Sequence, residues 1–287
     1  MNKNQLTTLL MISLTSLSSC NTPTSSLTSG QNNNETDYKL TSASDIVLDG
    51  NKITVNSTSI IWKEDRIHSS YFDTIDFYIN EGNINASETK TKKDLGDSYK
   101  MNSGSFYKQT TVYEETIKGK SQSELDKVTN DDLITAGCTM TYTPDAFNNL
   151  IKKSNSDIHT VNFKTSQNIV AKLGFNYTFS DGKLTINTAA VALNNTYAVY
   201  VNVDTTDIIL ANITPDTTIK SKKELGDNYK MNSGTFYKQA TAYEKLVSGK
   251  EIEEIAMLSS EEISTAGCTM SYTPNAFTEA IKHSNRK

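Results

Sequence analysis

The residues best equipped for chemistry occur twice, as Thr135-Ala136-Gly137-Cys138-Thr139-Met140-Thr141-Tyr142-Thr143-Pro144 and as Thr265-Ala266-Gly267-Cys268-Thr269-Met270-Ser271-Tyr272-Thr273-Pro274. Each block is a small-residue turn rich in hydroxyls that runs into a helix start, with threonine as the cap and proline in the first turn. Backbone N–H groups and the positive end of a helix dipole gather at such a place, which suits a phosphate. The same residues have a structural use. Gly137 and Gly267 permit a tight turn, Cys138 and Cys268 are small core residues, and the hydroxyls cap the helix. The residues alone leave both uses open.

Other chemistries lack their side chains. His68, His159 and His283 occupy non-equivalent places and have no partners at ligand spacing, so no metal site is expected. There is no HExxH, GxSxG or paired GxGxxG, and no base and nucleophile can be paired. A catalyst is therefore not the expected reading. Gly119-Lys120-Ser121 looks like the tail of a phosphate-binding loop, but Glu114 stands where the leading glycine is needed, and the twin reads Gly249-Lys250-Glu251. A net charge of −5 without a basic stripe argues against nucleic acid as partner.

The elements that must position the two blocks are themselves repeated. Residues 92–155 align with 222–285 without a gap, and 36 of the 64 positions are identical, which makes this a duplication and not a chance likeness. Phe106, Thr110, Tyr113 and Ile117 recur at helical spacing, as do Phe236, Ala240, Tyr243 and Val247, and Gly119 and Gly249 end those helices. The helices after Pro144 and Pro274 bury Phe147, Leu150 and Ile151, and Phe277, Ala280 and Ile281. Upstream the copies diverge. Residues 167–179 read as a strand, Asp181-Gly182 as a hairpin turn, and LTINTAAVAL and YAVYVNV as the next two strands. The first copy shows a shorter version around Ile46 to Leu48, Asp49-Gly50 and Ile53 to Val55. The expected fold is α+β: two tandem copies of a small module, each an antiparallel sheet followed by helices, at 45–155 and 156–287.

Ahead of them, residues 1–19 read as an export signal, with Lys3 before an apolar stretch from Leu6 to Leu17 that is too short to span a bilayer. Leu17-Ser18-Ser19-Cys20 resembles the lipobox of bacterial lipoproteins, which implies a diacylglycerol thioether on Cys20, cleavage before it, and an extracytoplasmic, lipid-anchored protein. Residues 20–44, rich in Ser, Thr and Asn, are expected to form a disordered tether.

The block Ala136-Gly137-Cys138-Thr139-Met140-Thr141-Tyr142-Thr143, followed by Asp145-Ala146-Phe147 and a helix, resembles the Ser-Gly-Ala-Thr motif of the FMN-binding domain family. That family includes the Rnf G subunit, the sodium-pumping NADH:quinone reductase C subunit and Gram-positive lipoproteins of extracellular electron transfer. The resemblance implies FMN esterified to Thr139 and Thr269 by a flavin transferase, Gly137 and Gly267 in the turn, Tyr142, Tyr272, Tyr99 and Tyr229 packing the ring, and a redox partner at the membrane. Two departures stand out. Cysteine replaces the motif's alanine, and the upstream acids Asp132 and Glu262 lie seven residues before the threonine instead of six. The alternative is a cofactor-free surface lipoprotein that binds a partner protein, peptide or glycan.

Overall fold

The computed structural model describes residues 35–86, 89–139, 143–214, 217–270 and 273–286, which belong to one compact unit. Cys20 and the export signal lie outside the described residues. In chain order the elements are β1 (Thr36–Asp49), β2 (Lys52–Lys63), β3 (Arg66–Asn80), β4 (Asn83–Ile84), β5 (Lys100–Met101), β6 (Gly104–Ser105), α1 (Phe106–Ile117), α2 (Gln122–Leu125), α3 (Asn130–Thr135) and α4 (Thr143–Ser154). They continue with β7 (Thr160–Thr165), β8 (Val170–Ser180), β9 (Lys183–Asn194), β10 (Tyr197–Ile209), α5 (Phe236–Val247), β11 (Lys250–Glu251), α6 (Ile252–Ala256), α7 (Ser260–Thr265) and α8 (Thr273–Ser284). The fold is α+β, with antiparallel sheets followed by helices. The first sheet has the order β4-β3-β2-β1-β7 and the second β11-β10-β9-β8, while β5 and β6 form a separate two-stranded pair.

Strand alternation explains the layering. On β2, Ile60 and Trp62 join α1 and α4 in one core, with Phe106, Tyr113, Phe147 and Ile151. Their alternates Ile53, Val55 and Ile61 face away from those helices and meet the second sheet, through Leu173, Phe175, Leu184, Ile186, Ala190 and Ala192. The second sheet turns Ala189, Val191 and Val203 to α5 and α8, where Phe236, Tyr243 and Phe277 lie. The layers therefore run helix, sheet, sheet, helix, and the helix stripes read from the sequence are the buried ones.

Gly174 sets the approach of α8 to β8. A Cβ there would stand 1.7 Å from the Ala280 carbonyl oxygen. The Asp181-Gly182 turn is as expected: Ser180 pairs with Lys183, and both turn residues have positive φ (52° and 71°).

Three sequence expectations need correction. The tether does not reach residue 44, because β1 begins at Thr36, pairs with β2 along its length and buries Leu40 and Ala43. The first hairpin is long, not short: the polar run Asn56-Ser57-Thr58-Ser59 disguises a central strand buried on both faces. Finally, Thr160–Thr165 lies in sequence within the second copy, 156–287, but is hydrogen-bonded to β1 of the first sheet. Phe163 fixes it there, stacking between Tyr38 and Tyr200.

Candidate functional site

Each glycine block is held by a glutamine that sequence reasoning overlooked. Helix α3 starts with a capping box in which Thr129 and Asp132 satisfy each other's backbone N–H groups, and Ser259 and Glu262 do the same for α7. Gly137 and Gly267 then take φ of 97°, a left-handed conformation that costs a glycine little, and the Cys138 and Cys268 N–H groups bond back to Leu133 and Ile263. The cysteine side chains drop into the two cores, and burial pushes the Cys268 thiol up.

The following threonines stay exposed at the surface. The Thr139 N–H donates to Gln109 Oε1 at 2.6 Å, and Gln109 Nε2 donates to Thr139 Oγ1 at 3.1 Å and to the Ser103 carbonyl. In the second copy the Thr269 N–H and hydroxyl both donate to Gln239 Oε1, at 2.9 and 3.1 Å, while Gln239 Nε2 donates to the Ser233 carbonyl at 2.6 Å. Both glutamines are almost completely buried. A rigid amide thus clamps the threonine against the Met-Asn-Ser-Gly loop. The signal for it was the identical Phe-Tyr-Lys-Gln run in both copies.

The other predicted residues divide. Tyr99 and Tyr229 are half-buried packing residues set edge-on against Phe106 and Phe236, with Lys92 and Lys222 Nζ each 5.1 Å from the tyrosine ring centroid. Those lysines are fixed by Asp76 and Asp207, at 3.2 and 3.1 Å. Tyr142 and Tyr272 lie outside the described residues. The upstream acids Asp132 and Glu262 are engaged in the capping boxes.

A groove of about 540 Å³ opens where the second sheet meets the start of α8. Thr273, four residues after Thr269, lines it together with Lys222, Lys183, Asn187 and Asn275. Asn187 is 3% exposed and accepts from the Thr205 hydroxyl, and its Nδ2 donor has no partner among the described residues.

A second repeated cluster lies deeper. Glu114 Oε1 accepts from Lys93 Nζ at 2.6 Å and from the Phe72 N–H, and Glu244 Oε1 accepts likewise from Lys223 and the Val203 N–H. Asp73 and Asp204 accept from the backbone N–H groups of Lys93 and Lys223. Burial raises all four carboxyls against the pull of the lysines, Asp73 and Asp204 to about 6. The copies differ at one partner: Lys93 Nζ sits 3.6 Å from the Tyr71 ring centroid, whereas Lys223 donates to Asn202. Each cluster ties the Lys-Lys-x-Leu-Gly-Asp loop to a strand and to the long helix that carries the clamping glutamine.

Among the described residues no group of three or more His, Cys, Asp or Glu could hold a metal ion, and no helix is long and apolar enough to cross a membrane. Compared with known protein families, curated proteins and solved structures, the chain matches none.

Proposed function

We propose that the protein is an extracytoplasmic lipoprotein, anchored through lipid on Cys20 after removal of residues 1–19, whose mature part is two copies of an FMN-binding-like module that carries flavin for electron transfer. The observation that carries this reading is the exposed threonine at each left-handed glycine turn, its hydroxyl and N–H clamped by a buried glutamine just ahead of a helix start. Lys183, Lys222 and Asn187 suit the phosphate end of the group. The groove beside Thr273 has room for a flavin mononucleotide-sized ligand, and it is lined by Asn187, an almost wholly buried residue whose Nδ2 has no partner among the described residues.

In this reading Thr139 or Thr269 Oγ attacks the flavin-side phosphorus of flavin adenine dinucleotide in a transferase active site. The pyrophosphate P–O bond breaks, adenosine monophosphate leaves with the electron pair, the hydroxyl proton passes to water, and one phosphodiester with one negative charge remains. When bound, the flavin supplies one- and two-electron transfer. The protein's part is to hold the threonine backbone rigid, to compensate the phosphodiester at the helix start, and to keep the anchored chain at the membrane surface.

Co-expression with a flavin transferase tests the reading. Intact mass should show flavin adducts and the gel band should fluoresce, whereas a colourless chain of unmodified mass abandons the flavin. Anchoring is tested separately: Cys20→Ala should leave washed membranes, and retention of a normally processed variant rejects it.

One feature favours the cofactor-free alternative. Asp132 and Glu262, the acids nearest the threonines upstream, are already committed to helix caps. On that reading the groove of about 440 Å³ between β7 and α5, lined by Tyr200, Tyr237 and Val161, receives a peptide or glycan.

A further inference from the structure

Strand register places the groove residues of the second copy opposite exact counterparts in the first. Asn176 pairs with Asn187 and Thr185 with Asp207; Asp45 pairs with Asn56 and Thr54 with Asp76 in the same way. Asn176, Ser180 and Asn275 of the second copy thus correspond to Asp45, Asp49 and Asp145 of the first, and Glu279 to Asn149. The two lysines are common to both, Lys183 and Lys222 matching Lys52 and Lys92.

The charges decide between the copies. In the first copy these positions carry Asp45, Asp49, Asp76 and Asp145 against Lys52 and Lys92, a balance of −2. In the second they carry Asp207 and Glu279 against Lys183 and Lys222, a balance of zero, and Glu279 is already paired with Lys282 at 2.8 Å. The first turn of α4 contains the carboxylate of Asp145, while the first turn of α8 contains no acid. The helix start, the lysine and the buried amide, Asn56 in the first copy and Asn187 in the second, are common to both; an anion at the start of α4 meets like charge in addition, and one at the start of α8 does not.

We infer that the groove at the start of α8, lined by Asn187, Lys222 and Asn275, is the site for the phosphate of a phosphate-bearing ligand, and that its counterpart in the first copy is not. With the flavin reading, on which this inference rests, it means that Thr269 is loaded and Thr139 is left bare. The first copy then serves as the structural partner of the second.

The test is peptide mapping of the mature chain co-expressed with a flavin transferase. One adduct per chain is expected, on the peptide that contains Thr269. It is lost in Thr269→Ala, kept in Thr139→Ala, and reduced about tenfold in occupancy by Asn275→Asp, which puts a like charge beside the phosphate. The double variant Asp45→Asn/Asp145→Asn gives the first copy the second copy's residues at two of these positions, brings its balance to zero, and should gain an adduct on Thr139. Adducts on both threonines of the wild-type chain, or on Thr139 alone, overturn the asymmetry and leave the flavin reading standing. No adduct on any variant overturns both. A single Thr269 adduct unmoved by Asn275→Asp, with no gain in the double variant, overturns the charge account of the groove.

Discussion

His283 Nε2 lies 2.5 Å from Asp94 Oδ2, joining the last helix of the second copy to the Lys-Lys-Asp-Leu-Gly-Asp loop of the first. The aligned pair does the reverse, since Lys153 of the first copy reaches Glu224 of the second at 2.9 Å. Even the strand contacts match: the Phe175 N–H donates to His283 Nδ1, and Lys153 Nζ donates to the carbonyl of Ser44, the counterpart of Phe175. Two copies in one chain thus meet as the subunits of an isologous dimer do, each giving the other what it receives.

The first prediction concerns this reciprocity. Asp94→Ala and Glu224→Ala each remove a half-buried, charge-assisted contact and should lower stability by about 1–3 kcal/mol. Urea unfolding should still show one transition, because the two sheets share the cores around Phe77, Phe175 and Leu184. The duplication by itself predicts that residues 157–287 fold cooperatively alone; the shared core predicts instead that they fail to do so. Separate transitions for the two copies would contradict this.

The buried lysines give the second prediction. Lys93→Met strands Glu114 and Asp73 in the core without their cation and should cost about 3–5 kcal/mol, whereas Lys93→Met/Glu114→Gln should recover part of that loss. The same order should hold for Lys223 and Glu244. Chemical denaturation of the two singles and the two doubles gives the comparison.

His159 carries the third. It is 4% exposed, and burial depresses it to about 4, with Lys223 and Lys153 opposing its protonation and Glu224 favouring it. Between about 4 and the usual 6.5 the unfolded chain binds the proton and the folded chain does not, so this residue removes stability as pH falls through that window. Asp73 and Asp204 slope the other way. Raised to about 6, they bind protons in the folded state and favour it as pH falls from about 6 toward 3.8. His159→Gln should therefore flatten the acid loss of stability between pH 6.5 and 4, and Asp73→Asn/Asp204→Asn should steepen it. Thermal unfolding across that range reads both, and parallel profiles for all three proteins would reject the assignment.

The fourth tests the close approach of α8. Gly174→Ala drives a methyl into the Ala280 carbonyl and should cost about 1–3 kcal/mol or more, although the first copy carries Ala43 at the aligned place without harm. Ala43→Gly should cost no more than the loss of one buried methyl, about 1 kcal/mol. A neutral Gly174→Ala would mean that α8 shifts freely on its sheet.

Local patterns carry local structure, and these were legible. The stripe of Phe106, Tyr113 and Ile117, the stops at Gly119 and Gly249, the Asp181-Gly182 hairpin and the glycine turns before Thr139 and Thr269 each depend on residues a few positions apart, where helix and turn periodicity acts directly. Offset identity in the chain also exposed the duplication, including the Lys-Lys-x-Leu-Gly-Asp and Phe-Tyr-Lys-Gln runs, although not what they hold.

What the tertiary structure alone decided depends on partners distant in sequence. Residues 36–44 look like tether until β2 and β7 pair with them. Ser57 and Thr58 look solvated until both faces of β2 are covered. Gln109 and Gln239 are ordinary helix residues until the chain returns thirty positions later with a threonine N–H to bond. The meeting of His283 with Asp94 had no local signal at all, because a contact across 189 residues exists only once two sheets have packed face to face and brought their loops and last helices to the same seam.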